Sequence, residues 1–166
     1  MTTGTTHTTP QDTTTAWLTP QEMRAWRAYA EINGYLMAAL EADLAPHGIS
    51  LGDYEVLVQL SEAEDHQLRM CDLADRLGLS PSGLTRRLDG LVKAGYVQRL
   101  PSAADRRVML ATLTDEGRRA LQAAAHDHVS SVRRHLIDQL DADQIEALAD
   151  IFTTVGKALG RTLTIA

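Results

Sequence analysis

Ser80, Ser82, Thr85, Arg86 and Arg87 crowd five hydrogen-bonding side chains into one short stretch of a 166-residue chain. A guanidinium presents two parallel donors that match guanine O6 and N7, discriminating by about 1–3 kcal/mol. Serine and threonine hydroxyls hold phosphates or make adjustable base contacts. Arg86 and Arg87 point about 100° apart on a helix. One is therefore expected to read base edges, and the other to meet backbone or an acidic neighbour. A second charged cluster, Asp105-Arg106-Arg107, follows at the tip of an expected hairpin. The chemistry of both clusters suits a polyanion.

The elements that must position these groups are legible in the run from Met70 to Thr114. A short helix over 71–77 ends at Gly78, and Gly78-Leu79-Ser80 forms a tight turn. Ser80 caps a longer helix over 81–94, its hydroxyl accepting from a backbone N–H. Pro81 suits the first helical position, where its missing N–H costs nothing. Leu84, Leu88 and Leu91 make an apolar stripe at i, i+4, i+7, and Ser82, Thr85, Arg86 and Asp89 lie opposite. A helix–turn–helix places such a face in the DNA major groove. Gly95 stops the helix. Residues 96–100 and 107–113 then read as two strands around a polar loop, 101–106. A hairpin just after a reading helix is a wing, whose basic tip can meet the duplex backbone or enter the minor groove.

These residues resemble the MarR family of winged-helix transcriptional regulators. The match is the D-x-R tip Asp105-Arg106-Arg107, then the L-T-x-x-G run Leu113-Thr114-Asp115-Glu116-Gly117. The helix signature Leu84-Thr85-Arg86-Arg87-Leu88 with Leu91, Gly95 and Tyr96 also fits. It covers residues 50–117 closely and the flanking helices more loosely. The resemblance makes Arg107 the wing arginine, inserted where a narrow minor groove enhances the negative potential. Asp105 is expected to orient that arginine through a charge-assisted pair. Arg106 is expected to meet a phosphate. Lys93 and Arg99 read equally as phosphate contacts or as surface charges.

The net charge of −6 needs its distribution examined. Residues 69–107 hold eight Lys/Arg and four Asp/Glu, net +4. Residues 1–68 hold two and ten, net −8, and residues 108–166 six and eight, net −2. The positive field is thus confined to the clusters above, as an electrostatic footprint should be. The acidic remainder should limit non-specific attachment. No run of about 18 apolar residues is present to span a membrane. The N-terminus lacks the basic start and apolar core of a secretory signal. A single cysteine excludes an internal disulfide framework and suits a reducing cytoplasm.

The expected class is mainly α with a small β-wing. It combines a winged helix–turn–helix DNA-binding lobe, 50–113, with a helical dimerisation region, 19–46 and 114–162. Residues 1–18, Thr-rich and poor in bulky apolar groups, are expected to be disordered. Thr19-Pro20-Gln21-Glu22 is a capping box opening a helix to Leu44. Its apolar face carries Met23, Trp26, Ala30, Met37, Leu40 and Leu44. Ser50 caps the next helix, 67–70 reads as a short strand joining the wing sheet, and Thr114 and Asp141 cap two more helices. The last bears a stripe of Ile145, Leu148, Ile151, Phe152, Val155 and Leu159. Such a stripe argues for a helical interface in a homodimer, which suits pseudo-palindromic sites about one helical turn apart.

The resemblance also implies an organic effector, a small aromatic or phenolic acid. Trp26, Tyr29, His47 and Tyr54 lie on elements able to line its pocket, although each reads more readily as simple core. No glycine-rich phosphate loop, HExxH or GxSxG is present, so an enzyme reading has no support. His126, His128 and His135 lack metal-ligand spacing, and neither metal nor cofactor is expected. Cys71 is expected to be a buried small hydrophobe rather than a redox sensor. The sequence-level reading is a double-stranded DNA-binding, ligand-responsive repressor. Its alternatives are a protein-interaction module and a redox- or metal-triggered regulator of the same fold.

Overall fold

Each long helix starts at the cap its sequence provides. The computed structural model describes residues 16–161, which fall in two units divided between Gly34 and Tyr35. The disorder expected of the Thr-rich tail falls, for residues 1–15, outside the described residues. In the first unit the Thr19 Oγ1 accepts from the Glu22 N–H at 3.3 Å, and the Glu22 carboxylate accepts from the Thr19 N–H at 2.7 Å. That box opens α1 (Pro20–Leu44), which ends in the second unit. The Trp26 and Tyr29 rings are tilted together at 6.1 Å.

The second unit continues with α2 (Leu51–Ser61), β1 (Gln67–Arg69), α3 (Met70–Leu77), α4 (Pro81–Lys93), β2 (Val97–Pro101), β3 (Met109–Leu113), α5 (Asp115–His135) and α6 (Ala142–Ala158). Ser50, Thr114 and Asp141 cap α2, α5 and α6 through their side chains, and Ser80 caps α4. The strands form an antiparallel sheet in the order β1-β3-β2, with Leu68 opposite Ala111 and Arg99 opposite Ala111 on its other side. The fold is therefore mainly α with a small wing sheet, as the sequence leads one to expect.

The core explains why the leucine stripe of α4 is needed. Leu84, Leu88 and Leu91 are buried with Val56, Leu57 and Leu60 of α2, Leu73 of α3 and Leu113 of β3. Burying a leucine fully stabilises by about 1.5–3 kcal/mol. The stripe thereby fixes which face of α4 points outward. A smaller cluster, Leu44, Ile49, Tyr54 and Ala124, seats the end of α1 on α2 and α5.

The L-T-x-x-G run has a geometric reason. The Thr114 Oγ1 accepts from the Gly117 N–H at 3.0 Å and donates to the Gly95 carbonyl at 2.7 Å. One hydroxyl thus caps α5 and ties it to the turn that ends α4. A Cβ at Gly117 would lie 2.2 Å from the Tyr96 carbonyl oxygen, so only glycine admits this approach.

Candidate nucleic-acid interface

The outward face of α4 carries Ser82, Thr85 and Arg86, all exposed. Their hydroxyls are already partly engaged. Ser80 Oγ accepts from the Gly83 N–H at 3.1 Å and lies 3.2 Å from Ser82 Oγ. Thr85 Oγ1 donates back to the Pro81 carbonyl at 2.9 Å. Each oxygen keeps acceptor capacity toward solvent. Arg86 and Arg87 border one shallow hollow with Ser50, Asp53, Leu79 and Gly83, at the start of α2. They are not equivalent there. Arg86 is exposed, whereas half-buried Arg87 lies flat over Gly52, 1.1 Å from where a Cβ would stand. The sequence gives no hint of the Arg87–Gly52 perch, beyond a glycine in a helix's first turn with no capping role.

At the wing, Asp105, Arg106 and Arg107 are exposed. The expected ion pair takes another form: the Asp105 carboxylate accepts from the Arg107 backbone N–H at 3.0 Å. The Val108 N–H donates to the Asp105 carbonyl at 2.9 Å, and the Ser102 N–H to the Val108 carbonyl at 2.8 Å. These bonds close a loop that holds Arg107. Consequently β3 begins at Met109, two residues later than the periodicity suggests. Asp105 shapes the backbone beneath Arg107 and leaves the guanidinium free for other acceptors.

Clustering of unpaired guanidiniums marks this face. Arg99, Arg119, Arg133 and Arg134 each meet a carboxylate, on Asp89, Glu116, Asp138 and Asp43. Among the described residues, Arg86, Arg87, Arg106 and Arg107 enter no ion pair; Arg24, Arg27, Arg69, Arg76, Arg118 and Arg161 enter none either, but are scattered over other parts of the chain. Four uncompensated guanidiniums on one helix and the wing tip next to it make a local positive field on an acidic protein.

α1, α2, α3 and α5 line an open hollow of about 450 Å³ within the second unit. Met37, Leu40, Tyr54, Val58 and Val132 supply apolar wall, and Arg76, Glu55, Gln59 and His128 the polar groups. Of the four residues considered for a pocket, Tyr54 lines it. His47 instead meets Asp127 at 2.9 Å. His128, which the sequence marks only as an unsuitable metal ligand, packs tilted against Tyr54 with ring centroids 4.3 Å apart. Its Nδ1 is buried without a hydrogen-bond partner, and burial holds its pKa below the usual histidine value. Arg76 sits on α3, the first helix of the helix–turn–helix.

Two further assignments resolve. Cys71 is exposed, with Sγ 3.4 Å from the Asp72 carboxylate, and is not the buried hydrophobe expected. At the second position of α3 it lies about 200° round the helix from buried Leu73. His135 meets Asp43 at 3.0 Å, and Ser131 and Arg134 donate to the same carboxylate at 2.5 Å each. The Ser131 hydroxyl is the main reason that carboxyl titrates below the usual aspartate range. Among the described residues, no group of three His, Cys, Asp or Glu could hold a metal ion, and no helix is long and apolar enough to cross a membrane.

Residues 49–109 match the model of the MarR family. The chain is similar to AbsC, a MarR family transcriptional regulator from Streptomyces coelicolor, at 39% identity and a TM-score of 0.83, over 87% of this chain and 98% of AbsC. It is also similar to Sco3205 of the same organism, a MarR family regulator solved in complex with DNA. There the identity is 35% and the TM-score 0.83, over 86% of this chain and 94% of Sco3205. The transcriptional repressor YetL of Bacillus subtilis is 29% identical over 125 residues, 74% of this chain and 75% of YetL. With this fold, this wing and these relatives, the chain belongs to the MarR family of transcriptional regulators.

Proposed function

We propose that the protein is a sequence-specific DNA-binding repressor that works as a homodimer in the cytoplasm and catalyses no reaction. Each subunit lays α4 in a major groove and the 101–107 wing in the adjacent minor groove. Arg86 reads base edges, Arg87 and Arg106 hold phosphates, and Arg107 enters the minor groove. Ser80, Ser82 and Thr85 make the short polar contacts, and Asp105 shapes the loop beneath Arg107. The observation that carries this reading is the clustering of four arginines without ion pairs on α4 and the adjoining wing tip of a chain whose net charge is −6. The similarity to Sco3205, solved with DNA, supports it.

Apolar surface that one chain leaves uncovered supports the dimer. On α6, Ile151 and Val155 are 56% and 48% exposed, Leu159 at its C-terminal cap is 72% exposed, and on α1, Trp26 and Ile32 are 57% and 61% exposed. A second copy covers such helical faces and sets two reading heads about one turn of DNA apart. The open hollow suits an apolar acid: Arg76 and His128 face the acid group, and the Tyr54 and Val58 wall takes the aromatic body. Because Arg76 belongs to α3, an occupant favours one placement of the reading head over another. It releases DNA only by preferring the state that does not fit.

The test is the salt dependence of binding to duplex DNA selected from a random pool. The log–log slope is expected at about −0.9 per neutralised phosphate, and Arg107→Ala should both weaken binding and flatten it. A salt-insensitive association, or a variant indistinguishable from wild type, overturns the proposal. An aromatic carboxylate should lower the affinity of wild type and not of Arg76→Gln.

A further inference from the structure

Arg99 lies in the middle of β2, yet its side chain serves α4. Nη2 donates to the Thr85 carbonyl at 2.8 Å, and Nη1 stands 2.8 Å from the Asp89 carboxylate. Thr85 and Asp89 are one helical turn apart, so a single planar fork spans a turn of the reading helix. The side chain is only 26% exposed, and its Nε is buried with no partner, so the terminal nitrogens make the attachment. A lysine, as a point charge on a flexible stem, cannot serve the carbonyl and the carboxylate in one fixed geometry.

We infer that Arg99 is a positioning residue that fixes the wing against the reading helix, so that the minor-groove contact of Arg107 depends on it. The inference rests on the DNA-binding reading above. Beyond Arg99 the strand continues through Leu100 and Pro101 to the closed loop that holds Arg107. At ~3.3 Å per residue the tip projects roughly 12 Å past the attachment. A rotation of about 10° at the base then moves the tip by ~2 Å, enough to break a hydrogen bond. The β2–β3 ladder and the buried Ala111 and Leu113 keep the hairpin itself intact. What Arg99 removes is hinge freedom. Its pairing also covers the charge of Asp89, which would otherwise face phosphate from the reading helix.

A double-mutant cycle on the full-length protein tests this, with a duplex that wild type selects from a random pool as the probe. Arg107→Ala is expected to weaken wild-type binding about tenfold. In an Arg99→Lys background, where charge beside Asp89 is kept, the same change should cost less than about threefold. Arg86→Ala should keep its full effect, because the core and not Arg99 places α4. The salt slope of Arg99→Lys should flatten to that of Arg107→Ala, which a purely structural loss would not do. Asp89→Asn repeats the cycle at an exposed position where folding is not at risk. Equal costs of Arg107→Ala in all three backgrounds overturn the inference and leave DNA binding standing. Wild type that fails to bind duplex overturns both.

Discussion

Replacing Gly52 with alanine should separate stability from DNA binding. The added Cβ would stand 1.1 Å from Arg87 Nη1, 2.2 Å from Cζ and 2.8 Å from Nη2. The obstacle is the mobile end of a side chain, so the backbone of α2 need not move. Alanine is favoured over glycine in a helix by about 0.5–1 kcal/mol. The capping box of Ser50 and Asp53 is undisturbed. The unfolding free energy should therefore stay level or rise by up to about 1 kcal/mol. Arg87 must nevertheless withdraw by roughly 2 Å to reach ordinary contact, and a charge-assisted bond of about 2.7–2.9 Å does not survive that. Losing one such phosphate contact costs about 1 kcal/mol per subunit, so ~2 kcal/mol for a dimer on its operator, or about thirtyfold in affinity. Anisotropy titrations of Gly52→Ala, Arg87→Ala and the double variant should give nearly equal losses, with urea unfolding run alongside. Wild-type affinity in Gly52→Ala beside a weakened Arg87→Ala would show that Arg87 does not act from its perch over α2. Destabilisation by 2 kcal/mol or more would place the clash in the backbone.

Gly117→Ala should behave in the opposite way. Its Cβ meets the Tyr96 carbonyl, which also accepts from the Thr114 N–H and Oγ1 at 3.1 Å each, so overpacking and weakened bonds together should cost about 3–5 kcal/mol. A urea-derived loss under about 1 kcal/mol would mean that α5 can slide. Ile151→Asp places a charge on the exposed stripe of α6 and should convert dimer to monomer in light scattering at micromolar concentration; an unchanged mass would exclude α6 from the interface. For pH, burial lowers the His128 pKa below 6.5. As pH falls through about 6.5, the unfolded chain takes up a proton that the folded chain resists until its own lower pKa, so stability declines over that window. In His128→Gln that contribution should vanish, and urea midpoints at pH 7.5 and 5.5 should differ less than in wild type.

What the sequence makes legible here is whatever is local or periodic. Thr19, Ser50, Ser80, Thr114 and Asp141 act as caps because each bond reaches only three residues along the chain. The α4 stripe is likewise a property of one helix, and its burial follows. The roles that escaped depend on partners far away in sequence. Arg99 reaches Thr85 across 14 positions, and Arg87 comes to rest on Gly52 of a different helix. Periodicity states that a side chain leaves a given face; it does not state what has folded into place opposite. Cys71 and His128 show the same gap in both directions, one left exposed and the other drawn against Tyr54. The wing tip is an intermediate case: Asp105 was identifiable from its motif, but its role as a backbone acceptor depends on a turn that strand alternation does not encode. Arg86, Arg87, Arg106 and Arg107 are visible in the sequence because motif and helix face place them without reference to any distant partner. Arg99, whose partners are internal, looks from sequence like any other surface charge. Among the arginines of α4 and the wing, it is therefore internal pairing that sets Arg99 apart from Arg86, Arg87, Arg106 and Arg107.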